Sequence, residues 1–338
     1  MPKLPQRTRG LALALATAAV LAATVSVGAP AASAGARHRA APRLAVGVTT
    51  WDLAINSTRP WQRGDLRQVR AFERLVHTRA SIVMWYADWA HARPELEQLR
   101  AVAARGDIPE ITWEPWNYLA GPHQSRFTLA SIIAGRHDVL IRRWARALRR
   151  YRGRVLLRFA QEMNSTTYPW CEGINGNRPG QFVKAWRHVH AIFARAHATN
   201  VRWIWSPVAR GGVPLNPSQY PGERYVDIVG LSGFNAGRVL HWGGWRSFAA
   251  IFGPAVATLR RLAPTKPIQI SEVASVSVGG DQARWIRAMF AYLATQPRIT
   301  SLVWFDLQKQ TDWRITSRRS GQAFAAGLRL LAKHGAGA

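Results

Sequence analysis

Two glutamates in this 338-residue chain stand where bond-breaking chemistry could be done. Glu162 closes the run Arg158-Phe159-Ala160-Gln161-Glu162-Met163-Asn164, and Glu272 closes Pro267-Ile268-Gln269-Ile270-Ser271-Glu272-Val273. Each follows a short apolar stretch of strand character, so each would project from a strand end. Two carboxyl groups facing each other across a cleft are what glycosidic bond cleavage needs. One is held protonated to donate to the leaving oxygen, and the other is ionised to attack the anomeric carbon. A separation of roughly 5 Å gives retention of configuration and a wider one gives inversion. Taken singly, either glutamate could instead be an ion-pair partner for one of the many arginines.

Strand-like runs at residues 45–51, 80–86, 108–113, 154–160, 201–206, 225–234, 267–273 and 300–306 must position these groups. Amphipathic helical segments fall at 65–78, 94–105, 129–151, 179–199, 245–262, 281–296 and 318–333. Eight strands alternating with helices imply an α/β chain forming a single (β/α)8 TIM barrel over residues 44–338. An open doubly wound sheet would ask for a glycine-rich turn after the first strand, and Thr49-Thr50-Trp51-Asp52 is not one. In a barrel, chemistry belongs at the C-terminal ends of the strands. Of the 18 acidic residues, Asp52, Asp88, Glu114, Glu162, Glu272 and Asp306 fall at or just past those ends. Asp65, Glu73, Glu95, Glu97, Asp107, Asp138 and Asp281 sit in or beside helices, where a surface charge explains them. Alternation places Leu156, Arg158, Ala160 and Glu162 toward the barrel mouth. The same rule, applied back from Glu272, puts Gln269 and Ser271 on the helix-facing side, where polar residues are out of place.

Trp51, Trp85, Trp89, Trp113, Trp116, Trp170, Trp205, Trp242 and Trp304 also map to strand ends or the loops after them. An indole offers a flat apolar plate with a polar edge, suited to the C–H face of a pyranose. Bases could stack on the same plates, but carboxylates in the same mouth would repel phosphates. Lys+Arg 46 against Asp+Glu 18 gives +28, a field that favours polyanions. The basic residues are spread along the whole chain without a nucleic-acid-binding signature, so no nucleic acid is expected. A cationic surface facing an anionic cell-wall polymer, or an arginine-biased composition, accounts for the charge. The single cysteine, Cys171, excludes an intramolecular disulfide and a thiolate-rich zinc site, and the histidines show no ligand spacing. No metal and no cofactor are expected. Lys3, Arg7 and Arg9, an apolar stretch over 11–27 and Ala32-Ser33-Ala34 read as a secretory signal over 1–34, followed by a flexible leader over 35–43. A secreted, monomeric protein is the expectation.

The Glu162 run followed by Tyr168-Pro169-Trp170 resembles the acid/base segment of glycoside hydrolase family 26, and Ile270-Ser271-Glu272 resembles its nucleophile strand. Trp113-Glu114-Pro115-Trp116, Tyr220-Pro221-Gly222, Tyr225-Val226-Asp227-Ile228-Val229-Gly230 and Val303-Trp304-Phe305 fit the same pattern, which spans about Val46 to Asp312. The resemblance implies a retaining endo-β-glycanase, most often a β-mannanase. Glu162 is then the acid/base, Glu272 the nucleophile and Trp304 the platform under the sugar being cleaved. Trp113, Gln161, Asn164, Trp170, Arg158, Glu114, Phe234 and Trp242 complete the expected substrate-binding set. Two positions depart from the family pattern: Gln161 stands where histidine is usual, and Phe234 where tyrosine is usual. An amide cannot titrate, and a phenyl ring cannot donate to the nucleophile. Both changes fall near the expected place of the sugar 2-hydroxyl, which separates mannan from glucan. A β-1,3-1,4-glucan or β-1,3-xylan backbone therefore stays open, as do a barrel that binds glycan without cleaving it and a protein that binds polyanions.

Overall fold

The computed structural model describes residues 44–50, 61–211 and 215–336. The expected signal (1–34) and leader (35–43), with Trp51 and Asp52, lie outside the described residues. Eight parallel strands close into a barrel in chain order: β1 (Ala45–Thr49), β2 (Ile82–Asp88), β3 (Ile108–Glu114), β4 (Val155–Phe159), β5 (Val201–Trp205), β6 (Ile228–Asn235), β7 (Ile268–Ser275) and β8 (Ile299–Phe305). Around it run α1 (Leu66–Val76), α2 (Leu96–Ala103), α3 (Leu129–Ile133), α4 (Asp138–Tyr151), α5 (Gln181–Arg195), α6 (Phe248–Leu262), α7 (Gln282–Ala294) and α8 (Arg318–Ala336). The single helix expected over 129–151 is two, because Gly135 takes φ +77° between them. That left-handed backbone is open to glycine at little cost.

The helices bury stripes at helical spacing. Leu66, Val69, Phe72 and Val76 are the buried side of α1, and Ile141, Trp144, Ala145 and Leu148 that of α4. Polar side chains close the starts: Ser247 accepts the Ala250 N–H at 3.1 Å and Asp281 the Arg284 N–H at 2.9 Å. The outward strand face is aromatic. Trp113 on β3 packs at 5.3 Å from Trp144 and 5.8 Å from Phe193, and Phe159 on β4 at 5.6 Å from Trp186.

The barrel interior is polar. Glu110, Thr112, Arg158, Ser232 and Gln269 are fully buried and reach one another from different strands. The polar pair in β7 has a physical reason. Leu231 pairs with Ile270 but the next residue, Ser232, pairs with Glu272, so Ser271 is one residue too many for the register. The bulge turns two successive side chains inward. Ser271 donates to Gln269 at 3.0 Å and Gln269 donates to Glu110 at 2.8 Å, both inside the barrel. Gly230 on β6 faces this bulge, and a Cβ there would collide with the Ser271 hydroxyl.

Candidate active site

The C-terminal ends of the strands surround a cleft of about 840 Å³ lined by Tyr86, Glu114, Glu162, Glu272 and residues of the following loops. Glu162 does not reach it by strand alternation. The fourth strand ends at Phe159, and Ala160 (φ +46°) and Glu162 (φ +55°) turn the chain through the left-handed region. The Glu162 N–H is held at 2.8 Å by the Ser206 carbonyl just past β5. Non-glycine residues in that region carry strain of order 1 kcal/mol or more each, which the surrounding packing must offset. Here two such residues aim one carboxyl into the cleft.

Glu272, at 4% exposure, is gripped from two strands. Arg158 Nη1 lies 2.5 Å from its Oε2, and the Tyr86 hydroxyl donates to its Oε1. Arg158 is itself fully buried and also donates to Ser232 and, at 3.4 Å, to Thr112. Burial pushes the Glu272 carboxyl up, to about 8, with the Lys309 ammonium pulling the other way. The guanidinium and the phenol contact its two oxygens, and both contacts favour the ionised form. Burial also raises Glu162, opposed by Arg158, by a hydrogen bond from Ser232 and by the cations Arg210 and Lys309. Two carboxyls thus share one cleft, one in contact with a cation and the other only within its field.

Glu114 lies beside them and is pushed up to about 7 by burial, against donors from Gln161 and Trp116 and the charge of Lys309. Gln161 Nε2 donates to its Oε1 and Trp116 Nε1 to its Oε2 at 3.2 Å. Gln161 is 1% exposed and also accepts from the Trp170 indole at 2.7 Å through its carbonyl. It orients Glu114 from behind the cleft surface. Phe234 and Trp242 line the cleft, Trp242 at 49% exposure.

Several expected contacts are elsewhere. Trp304 is fully buried under the helices, 6.4 Å from Trp285 and 6.0 Å from Phe324, because its position on β8 faces outward. It cannot lie under a sugar. Trp113 likewise belongs to the layer between barrel and helices. Asn164 spends its amide on Val208, donating at 2.9 Å and accepting at 2.8 Å, and so straps the loop after β4 to the loop after β5. Trp170 is buried behind Tyr168, stacked on it at 4.5 Å. Arg158 lies beneath the cleft, on Glu272. Asp88 accepts from His91, at 2.7 Å from Nδ1, and from the Tyr118 N–H at 3.3 Å, while Asp306 accepts the Ile315 N–H at 2.9 Å. Both tie down loops.

The sequence reading missed Tyr86, Tyr168, Trp313 and Lys309, all of which line the cleft. Trp313 backs Phe234 at 5.1 Å and Trp242 at 6.4 Å, while Trp116 and Tyr168, 5.4 Å apart, form a second aromatic group. Lys309 lies on a short hairpin of β9 (Gln308–Lys309) and β10 (Thr311–Asp312). Only strand parity, which separates Phe305 from Trp304 and Tyr86 from Trp85, could have pointed to the inward aromatics.

Endoglucanase H of Acetivibrio thermocellus is 34% identical over 270 residues, which are 76% of this chain and 28% of that protein. Mannan endo-1,4-beta-mannosidase A and B of Caldalkalibacillus mannanilyticus is 37% identical over 87 residues, 24% of this chain and 16% of that protein. The chain spans less than a third of the length of either relative. Among solved structures, the catalytic domain of the Bacillus sp. JAMB-750 GH26 endo-beta-1,4-mannanase superposes with a TM-score of 0.65 at 14% identity, over 86% of each chain. The GH26 beta-mannanase BoMan26A of Bacteroides ovatus gives 0.62 at 14% identity, over 86% of this chain and 90% of that one. At such identity the likeness is one of fold, a (β/α)8 barrel. Glycosyl hydrolase family 26 matches residues 110–301, more than half of the chain and including both glutamate runs. The chain therefore belongs to glycosyl hydrolase family 26.

Proposed function

We propose that this chain is a retaining endo-β-glycanase that cleaves its polysaccharide by double displacement. Glu272 is the nucleophile and Glu162 the acid/base. The observation that carries this reading is geometric: two carboxyls, both raised by burial, share one cleft, and Glu272 is the one in contact with a cation, Arg158 at 2.5 Å. In the first step Glu272 attacks the anomeric carbon as Glu162 protonates the leaving oxygen. In the second, Glu162 takes a proton from the water that displaces Glu272 from the sugar. Trp242, Phe234, Trp116 and Tyr168 offer the aromatic faces for neighbouring sugar rings.

A β-mannan backbone is supported by the mannanase relatives. A β-glucan backbone is the second reading, favoured by Endoglucanase H, the relative that aligns over most of the chain. Glu114, oriented by the Gln161 amide behind it, lines the cleft and is the group that would tell the two backbones apart. The amino-terminal cationic and apolar pattern supports export, and the charge of +28 supports contact with an anionic wall polymer.

The test is reducing-sugar release from mannan, glucomannan, mixed-linkage β-glucan and β-1,3-xylan, run beside Glu162→Gln and Glu272→Ala. Release from one polymer that vanishes in both variants is expected, with the β-anomer seen first by proton NMR. Binding of a glycan with no release from any would replace the hydrolase with a carbohydrate-binding barrel. First appearance of the α-anomer would replace retention with inversion.

A further inference from the structure

We propose that Tyr86 is the positioning residue for Glu272, its phenol entering from β2 to fix one carboxylate oxygen while Arg158 fixes the other. This rests on Glu272 being the nucleophile. The register makes the arrangement a property of the barrel rather than of one rotamer. Tyr86 pairs with Thr112 and Thr112 with Arg158, so Tyr86, Thr112 and Arg158 form one row on β2, β3 and β4. Side chains of one row in parallel strands face the same way. The row presents a phenol and a guanidinium, and Glu272 on β7 meets both, Oε1 on Tyr86 and Oε2 on Arg158.

The aromatic residue on the strand next to Glu272 cannot do this work. Phe234 has no hydroxyl, and its ring is held at 5.4 Å from Phe305 and 5.1 Å from Trp313. Lys309 adds to the effect of Tyr86, since its ammonium lies 5.7 Å from the Tyr86 ring centroid. A cation over a phenol ring draws electron density from the oxygen and strengthens the O–H as a donor. The ionisable groups around Glu272 are then Arg158 from β4, Tyr86 from β2 and Lys309 from the β9–β10 hairpin, with Glu114 and Glu162 lining the same cleft. Each carboxylate oxygen has two lone-pair sites, so a bond from Tyr86 leaves Oε1 able to attack.

Tyr86→Phe keeps the ring and removes only the donor. The Glu272 side-chain carboxyl is followed by carbon NMR in protein labelled on glutamate, its signal assigned by its loss in Glu272→Gln. In Tyr86→Phe it is expected to titrate at higher pH than in the wild type, because the anion has lost a hydrogen bond. On the polymer that the wild type cleaves, kcat is expected to fall roughly tenfold to a hundredfold, the effect of one hydrogen bond to a charged group. KM should stay within about twofold, and the acid limb of kcat/KM should move to higher pH. An unchanged Glu272 titration in folded Tyr86→Phe overturns the inference, as does a shifted titration with kcat and the acid limb unchanged. The titration needs no turnover. A wild type that cleaves nothing would sink the proposed function while the carboxyl signal still reports whether Tyr86 holds Glu272.

Discussion

Arg158 and Glu272 meet at 2.5 Å inside the barrel, with the guanidinium wholly withdrawn from solvent. A buried pair of this kind is worth most when one partner is removed, because the other is left as an uncompensated charge. In Arg158→Met, burial would push Glu272 up with only Lys309 and the Tyr86 hydroxyl left to oppose it. A nucleophile works only as the anion, so the acid limb of kcat/KM should move to higher pH. At neutral pH, kcat should fall by roughly a thousandfold, the kinetic equivalent of about 4 kcal/mol. A pH–rate profile unchanged from the wild type would refute the ion pair's role.

Glu162 should govern the opposite limb. Its carboxyl is raised by burial and must be protonated for the first step, so the rate falls as pH rises through its titration. Glu162→Gln should abolish that limb and lower kcat on polysaccharide by about 10²–10⁴. On an aryl glycoside whose leaving group needs no proton, the first step should survive, and stopped-flow release of the phenol measures it.

Trp242 and Trp304 should respond in opposite ways. Trp242, half in solvent at the cleft, contributes contact to a sugar and little to folding. Trp242→Ala should raise KM up to roughly tenfold with the thermal midpoint unchanged. Trp304, fully buried against Trp285 and Phe324, should cost about 3–5 kcal/mol of stability as Trp304→Ala and leave KM of the folded protein alone. Urea unfolding and steady-state kinetics on both variants read the contrast.

Glu110 ties stability to pH. Fully buried and bonded to Gln269, it is pushed up to about 7 in the folded protein from an ordinary value of 4.5, by burial. The folded state therefore holds a proton there that the unfolded chain has released, and stability falls as pH rises from 4.5 to 7. Glu110→Gln cannot ionise. Relative to the wild type it should gain roughly 3 kcal/mol between pH 4 and pH 8, measured by urea unfolding at each pH. An equal wild-type-to-variant difference at the two pH values would show that Glu110 is not neutral in the fold.

The strands were legible because they are short, apolar and separated by amphipathic segments; β3, β5 and β8 begin within one residue of the positions that patterning alone suggests. Glu162 and Glu272 were legible because a basic chain has few acids to sort. What patterning could not reach were departures from regular backbone. The alternation rule fails at Glu162, where the chain has already left β4 through two left-handed residues, and at Ser271, where an inserted residue changes parity. Tryptophans mapped to strand ends divide by parity into cleft and helix layers, and type alone carries no parity. Trp304 was misplaced for that reason. Tyr86 was invisible because its importance lies in a partner on β7, 186 residues away in sequence.

The extra residue at Ser271 gives β7 two reading frames. Ahead of it, Gln269 and Ser271 address the barrel interior; from Glu272 on, the even positions address the cleft. Reaction chemistry and internal scaffold are therefore counted from different origins along one strand. A chimera joined upstream of Ser271 can exchange the scaffold's residues and keep the nucleophile in phase, whereas a β7 that keeps Ser271 but pairs without the bulge must turn either Gln269 or Glu272 toward the helices.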